Sequence, residues 1–213
     1  MPNAALRAVA SKWGNNTDSV SIPVETEDGD FLLWESVHVP HFSPPFTVNP
    51  PAGWTILLRE EHGNTWHIVL SRVWHTGDPT SYTFSVDKWG FYNNLIWDFY
   101  NGDSALGFVA DYVASVTSHD LPAQGTPGMV AWGFLGLSDY GPGVSDIPDG
   151  WATDYDAYLS FAPEVWGGHR LYSDPGGTGA LPLTFPSAQS GTFWSAVVGY
   201  AIASEVAFRL EIS

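Results

Sequence analysis

The sequence predicts an all-β chain, a single-domain antiparallel β-sandwich of jelly-roll type with a short N-terminal arm. Two segments alternate with the two-residue period of a half-buried strand. Tyr82, Phe84 and Val86 alternate with Ser81, Thr83 and Ser85, and Val206, Phe208, Leu210 and Ile212 with Glu205, Ala207, Arg209 and Glu211. Short apolar runs are separated by turn chemistry such as Gly77-Asp78-Pro79. Beyond the arm no segment repeats its apolar residues at helical spacing, which leaves a sandwich or jelly roll as the architecture. A length of 213 residues fits one domain, divided into an arm over 1–16 and a sandwich over 17–213.

Taken in order, Ala4, Ala5, Leu6, Ala8, Val9 and Ala10 suit a short helix before the turn-prone Gly14-Asn15-Asn16. A helix of that size is marginal alone, so the arm is expected to dock on another subunit or another protein rather than on its own sandwich. Val20, Ile22 and Val24 then form a strand that Pro23 places near a sheet edge, followed by a turn over 27–30. Residues 31–39 are mostly apolar on both faces, as expected of a central strand, and the Pro-rich stretch 40–51 is an ordered loop or edge. Further strands are expected over 54–58, 66–75, 81–86, 95–100, 108–118, 129–137, 157–162, 193–203 and 206–212. The long loops are 121–128, 138–151 and 173–186, rich in Pro, Gly and Asp. Tyr82, Phe84, Val86, Val206, Phe208 and Leu210 are expected in the core.

With 23 acidic residues against 7 Lys and Arg, the net charge of −16 opposes binding nucleic acid through its phosphates. The absence of Cys excludes disulfides, thiolate metal sites and cysteine nucleophiles. No run resembles the apolar stretch of a signal peptide or is long enough to span a bilayer, so neither a secretory signal nor membrane insertion is expected.

Reaction chemistry leaves little trace. There is no nucleophile elbow, phosphate-binding Gly loop, His-Glu-x-x-His pair or dinucleotide fingerprint. Glu35, Glu60, Glu61 and Glu164 lie nearest to aromatic residues. A glycan hydrolase needs only a carboxylate pair, but these acids read first as solvated or hydrogen-bonded surface groups. His38 and His41 sit three apart, on opposite faces of a strand, and read as partly exposed loop histidines before they read as metal ligands. Asp139, Asp146 and Asp149, with Asp154 and Asp156 just after, suit either a calcium site or an acidic surface loop. No other cofactor is expected. Trp151, Tyr155, Trp166 and Tyr172 are placed in loops over 138–156 and 163–177, where rings beside polar groups suit a glycan, although core packing accounts for most rings in such a chain.

Pro51-Ala52-Gly53-Trp54, Arg72-Val73-Trp74-His75 and Asp78-Pro79-Thr80-Ser81-Tyr82-Thr83-Phe84 resemble the pattern of small β-sandwich domains in minor tail and other virion-surface proteins of tailed bacteriophages, especially those infecting actinobacteria. The strands at 20–24 and 29–39 and the closing 191–198 fall where that pattern has strands, so the resemblance covers roughly residues 17–203. It implies a non-enzymatic structural or adhesive role on the tail, tail tip or fibre, contributing to host attachment. A capsid decoration or head-fibre protein is the alternative, and a glycan hydrolase a third reading. The implied partners are other virion proteins, further copies in a symmetric homo-oligomer such as a trimer, and a host-surface glycan. The implied location is the virion, with synthesis in the host cytoplasm. The resemblance supplies no catalytic residues.

Overall fold

A computed structural model describes residues 4–15, 19–40, 47–63, 65–87, 90–102, 104–121, 128–136, 152–157, 164–172 and 181–199. Among them the chain is entirely β and turn, without a helix. The strands are β1 (Ala5–Asn15), β2 (Val20–Ser21), β3 (Phe31–Pro40), β4 (Val48–Asn49), β5 (Thr55–His62), β6 (Thr65–Val73), β7 (Ser81–Tyr82), β8 (Ser85–Val86), β9 (Gly90–Tyr100), β10 (Ser104–Leu121), β11 (Gly128–Gly136), β12 (Ala152–Ala157), β13 (Glu164–Tyr172) and β14 (Leu181–Gly199). One five-stranded sheet has the order β1-β9-β3-β6-β5 and a second β10-β14-β11-β13-β12, while β2-β7 and β4-β8 form two short pairs. Every pairing is antiparallel.

The double-sided apolarity of β3 has a direct structural cause. Phe31 and Leu33 face the second sheet, joining Trp97, Val69 and Leu95 against Trp194, Ala196, Val198 and Ala131. Leu32 and Trp34 face the other way, into a cluster with Ile68, Leu70, Ile96, Val20, Ile22, Val48, Trp54, Tyr82 and Phe84. The first sheet is therefore the middle of three layers, with the second sheet on one face and a cover of short strand pairs and loops on the other.

Sheet meets sheet through interlocked indoles. Trp97 and Trp194 pack edge to face, with centroids 5.6 Å apart. Gly133 and Gly167 stand opposite each other in the β11–β13 register. A methyl on Gly133 would collide with the Trp194 indole and the Glu35 carboxylate, and one on Gly167 would collide with Trp97. Two adjacent glycines thus make the flat place in the second sheet that the indoles fill.

Several expectations need correction. The segment expected as a helical arm is β1, hydrogen-bonded along β9 from Ala5↔Tyr100 to Asn15↔Phe91. It docks on its own chain, and Leu6 and Val9 pack against the inter-sheet core. Good helix formers such as Ala lose here to tertiary context, because β9 would otherwise present an open ladder edge. The expected strand over 81–86 is two short strands flanking Thr83 and Phe84, and Val86 is only half-buried. Of the strand expected over 157–162, residue 157 ends β12 and 158–162 lie outside the described residues, while the loop expected over 173–186 includes the start of β14. Residues 206–212, with Val206, Phe208 and Leu210, lie outside the described residues.

Candidate functional site

Of the residues singled out for ligands, Trp151, Asp139, Asp146 and Asp149 lie outside the described residues. Tyr155 belongs to β12, and Trp166 and Tyr172 to β13, so these three stand on paired strands and not in loops. The register sets Tyr155 opposite Gly167 and Trp166 opposite Asp156, which makes residues 155 and 166 near neighbours on adjoining strands. Tyr172 pairs with Gly128, at the far end of β13. Asp154 and Asp156 also fall on β12. Among the described residues no group of three His, Asp or Glu is arranged to hold a metal ion.

The histidines and carboxylates gather instead into four internal sets. Glu35, expected at the surface, is fully buried between the sheets with His67. Its Oε1 accepts the Trp194 Nε1–H at 2.9 Å and lies 2.7 Å from His67 Nε2. Residues from β3, β6 and β14 therefore meet at one oxygen, and the Trp194 bond crosses from sheet to sheet. Breaking such a buried set by removing one partner strands the others without water.

His38, expected in a loop, is also buried, on β3 and facing the cover. Burial pushes its imidazole pKa down to about 3, so the ring is neutral. Ser36 gives its hydroxyl proton to Asn94 Oδ1 at 2.6 Å, and Trp34 Nε1–H donates to the same oxygen at 2.9 Å. With the Ser36 proton committed, the 2.8 Å contact to His38 Nε2 requires that nitrogen to be the donor. The His38 ring stands edge-on to Phe84 at 4.6 Å. His41 lies outside the described residues.

A third set closes the rim between the sheets. Thr192 Oγ1 on β14 donates to Glu60 Oε2 at 2.9 Å and lies 3.0 Å from His62 Nε2, which is itself 2.9 Å from Glu60 Oε2. Tyr112 from β10 stacks on His62 at 4.5 Å. Hydroxyl, imidazole and carboxylate are the residue types of a nucleophilic relay, but a relay needs the acid on the imidazole nitrogen remote from the hydroxyl. Here both partners share Nε2, so the three atoms close on one another as a clasp between sheets. Glu61 beside them is exposed, and Glu164 begins β13.

The fourth set surrounds Arg7. Its guanidinium lies 2.8 Å from Asp30 Oδ2 through Nε and 2.9 Å from Glu27 Oε2 through Nη2. Asp98, fully buried beside it on β9, has its carboxyl pKa pushed up to about 7 by burial. Asp30 adds to the rise, while Thr26 and Arg7 oppose it.

Residues 51–54, 72–75 and 78–84 come together on the cover face. Trp54, Phe84 and Trp34 stack edge to face, with Trp34 5.1 Å from Trp54 and 4.7 Å from Phe84, and Tyr82 lies 5.3 Å from Trp54. Arg72 reaches Asp78 Oδ2 at 2.6 Å and lies over the Tyr82 ring at 5.4 Å. Gly53 turns beneath that guanidinium with φ of 84°, a left-handed conformation that glycine adopts without strain. Asp78 also accepts the His75 N–H at 2.9 Å, which pins the turn that follows β6.

Sequence reasoning missed Glu35, His67, Thr192 and Asp98 as interior groups. Two signals were present: Glu35 falls within an otherwise apolar central strand, and Asp98 within the apolar run of β9. Compared with protein-family models, curated proteins and solved structures, the chain matches none.

Proposed function

We propose that the chain is a non-enzymatic virion protein of a tailed bacteriophage, a minor tail, tail-tip or fibre component that contributes to host attachment. One observation carries the reading: residues 51–54, 72–75 and 78–84, on which the resemblance rests, pack as a single cover, with Trp54, Tyr82 and Phe84 in one cluster and Arg72 clasping Asp78. Residue types shared with virion domains thus serve the framework, as expected of a domain used as a building block. The internal histidines and carboxylates point the same way, since they tie strands and sheets to one another. In this reading attachment draws on many copies, whose linked weak contacts raise avidity by orders of magnitude.

The test is gold labelling of assembled particles with an antibody raised against the purified chain. Label on the tail or its tip is the expected result. Label on the capsid would replace the tail reading with a decoration or head-fibre role, and particles without the chain would overturn both. Release of soluble sugar from host cell walls by the purified chain would favour a hydrolase instead.

A further inference from the structure

We infer that Asp98, Asp30 and Arg7 make a proton-operated latch, which holds the turn over 23–30 down on the first sheet while Asp98 carries its proton and lets the turn lift when the proton is lost. The geometry begins with charge counting in a closed space. Asp98 stands on β9 opposite Leu32 of β3 and Ala8 of β1. It is fully buried, and neither of its oxygens has a well-formed hydrogen bond.

The groups around it come from three sides. β1 brings Arg7, the turn brings Thr26, Glu27 and Asp30, and β3 brings only the apolar Leu32. One strand further, Arg72 of β6 is committed to Asp78. Arg7 is likewise divided already, between Asp30 at 2.8 and 3.3 Å and Glu27 at 2.9 Å. One guanidinium therefore faces three acids. An ionised Asp98 would have neither a cation of its own nor water, whereas a protonated Asp98 is neutral and brings a hydroxyl donor beside the Asp30 carboxylate.

The turn is the weakest wall of this space. Val24, Glu25, Glu27, Asp28 and Gly29 are all exposed, and Asp30 is the residue of the turn's end whose side chain is buried. Asp30 Oδ2 accepts the Glu27 N–H at 2.7 Å, and two ladder-like bonds join the turn to the end of β6, Gly29 N–H to Trp74 O and Trp74 N–H to Asp30 O, both at 2.9 Å. A segment with few buried contacts opens locally at little cost, and its opening gives Asp98 the water that its charge needs.

The direction of the effect follows from linkage. The closed state holds the Asp98 proton up to about pH 7, while a hydrated aspartate gives it up near pH 4. Between those limits the closed state binds a proton that the open state does not, so opening grows as pH rises. It grows by at most about tenfold per pH unit and levels off above about 7.

Hydrogen exchange of the Gly29, Asp30 and Trp74 amides, corrected for intrinsic rate, tests this across about pH 4.5 to 8.5. Protection is expected to fall with rising pH and then level, while the Leu33 and Val69 amides of the central strands stay unchanged. Asp98→Asn, which keeps the neutral shape, should flatten the profile. Should that variant fold poorly, Asp30→Asn should move the step to lower pH by removing the facing carboxylate. His75→Gln, which removes the imidazole 3.6 Å from Asp28 on the outer side of the turn, should leave the step intact. A flat wild-type profile, a step that survives Asp98→Asn, a step lost in His75→Gln, or Leu33 and Val69 following the same curve would each overturn the latch.

Discussion

The two faces of the middle sheet are built on different principles. Toward the second sheet, partners come from far along the chain: Trp194 bonds Glu35, Gly133 lies against the same carboxylate, and indoles fill the place that glycines leave open. Toward the cover, partners come from the segments that flank β3, β5, β6 and β9, and the packing is edge-to-face aromatic, Trp34 with Trp54 and Phe84. The inter-sheet face is fixed by a directional polar contact, which sets how the sheets align. The cover is fixed mostly by ring packing and apolar area, around one buried polar set of Trp34, Ser36, His38 and Asn94. Removing a partner should therefore cost an orphaned charge or dipole on one face and a cavity on the other.

The largest expected losses compare the faces directly. Glu35→Ala leaves the Trp194 N–H and His67 without their acceptor and should lower stability by about 3–5 kcal/mol. Phe84→Ala should lose about 3–5 kcal/mol through transfer energy and the cavity left behind. Denaturant melts measure both, and a loss under about 1 kcal/mol for either would refute its place in the core. Since Phe84 touches Trp34 and His38 while Glu35 touches His67 and Trp194, the double variant should be additive within about 0.5 kcal/mol. A larger coupling would show that the two faces act as one.

A smaller loss, about 1–3 kcal/mol, is expected for Gly167→Ala, because the added methyl must displace Trp97. A melt unchanged by that substitution would mean that the sheets can separate slightly without penalty. The smallest effect concerns the outer rim of the cover. Asp78 is held below the usual carboxylate range by the His75 N–H and then by Arg72, and Asp28 by the Thr76 N–H. Their folded pKa values are depressed, so their contribution is present above about pH 4 and is lost as pH falls through the folded values. Acid titration of Asp78→Asn should show a shallower loss of stability in that range than wild type, and an identical curve would remove Asp78 from the clasp.

The cover face was legible in the sequence because its logic is local. Alternation around Tyr82 and Phe84 and double-sided apolarity over 31–39 are read locally; Tyr82 and Phe84 are buried as that reading has them, although the strand around them is broken, and β3 is the central strand expected. The inter-sheet face was not legible, because a buried acid is defined by its partner. Glu35 acquires its role only when β14 brings Trp194 to it, some 159 residues later in sequence. β1 was misread for a related reason: its Ala-rich sequence states a local preference, and the open side of β9 overrides it. Tyr155, Trp166 and Tyr172 were assigned to loops on composition, although β11 to β13 supply them with strand partners.

The placement of β14 between β10 and β11 has a consequence for biosynthesis. Without its middle strand the second sheet cannot join β10 to β11, so the face of the first sheet bearing Trp97, Leu33 and Val69 lacks Trp194, Ala196 and Val198 until residue 199 has left the ribosome. At roughly 5–20 residues per second, the interval after β9 is complete lasts on the order of 5–20 s. Throughout that time an apolar, strand-rich surface is incompletely covered and accessible to other nascent chains. Productive yield of this protein in a heterologous host should accordingly depend on chaperone supply and on a low concentration of nascent chains more than on the thermodynamic stability of the finished fold.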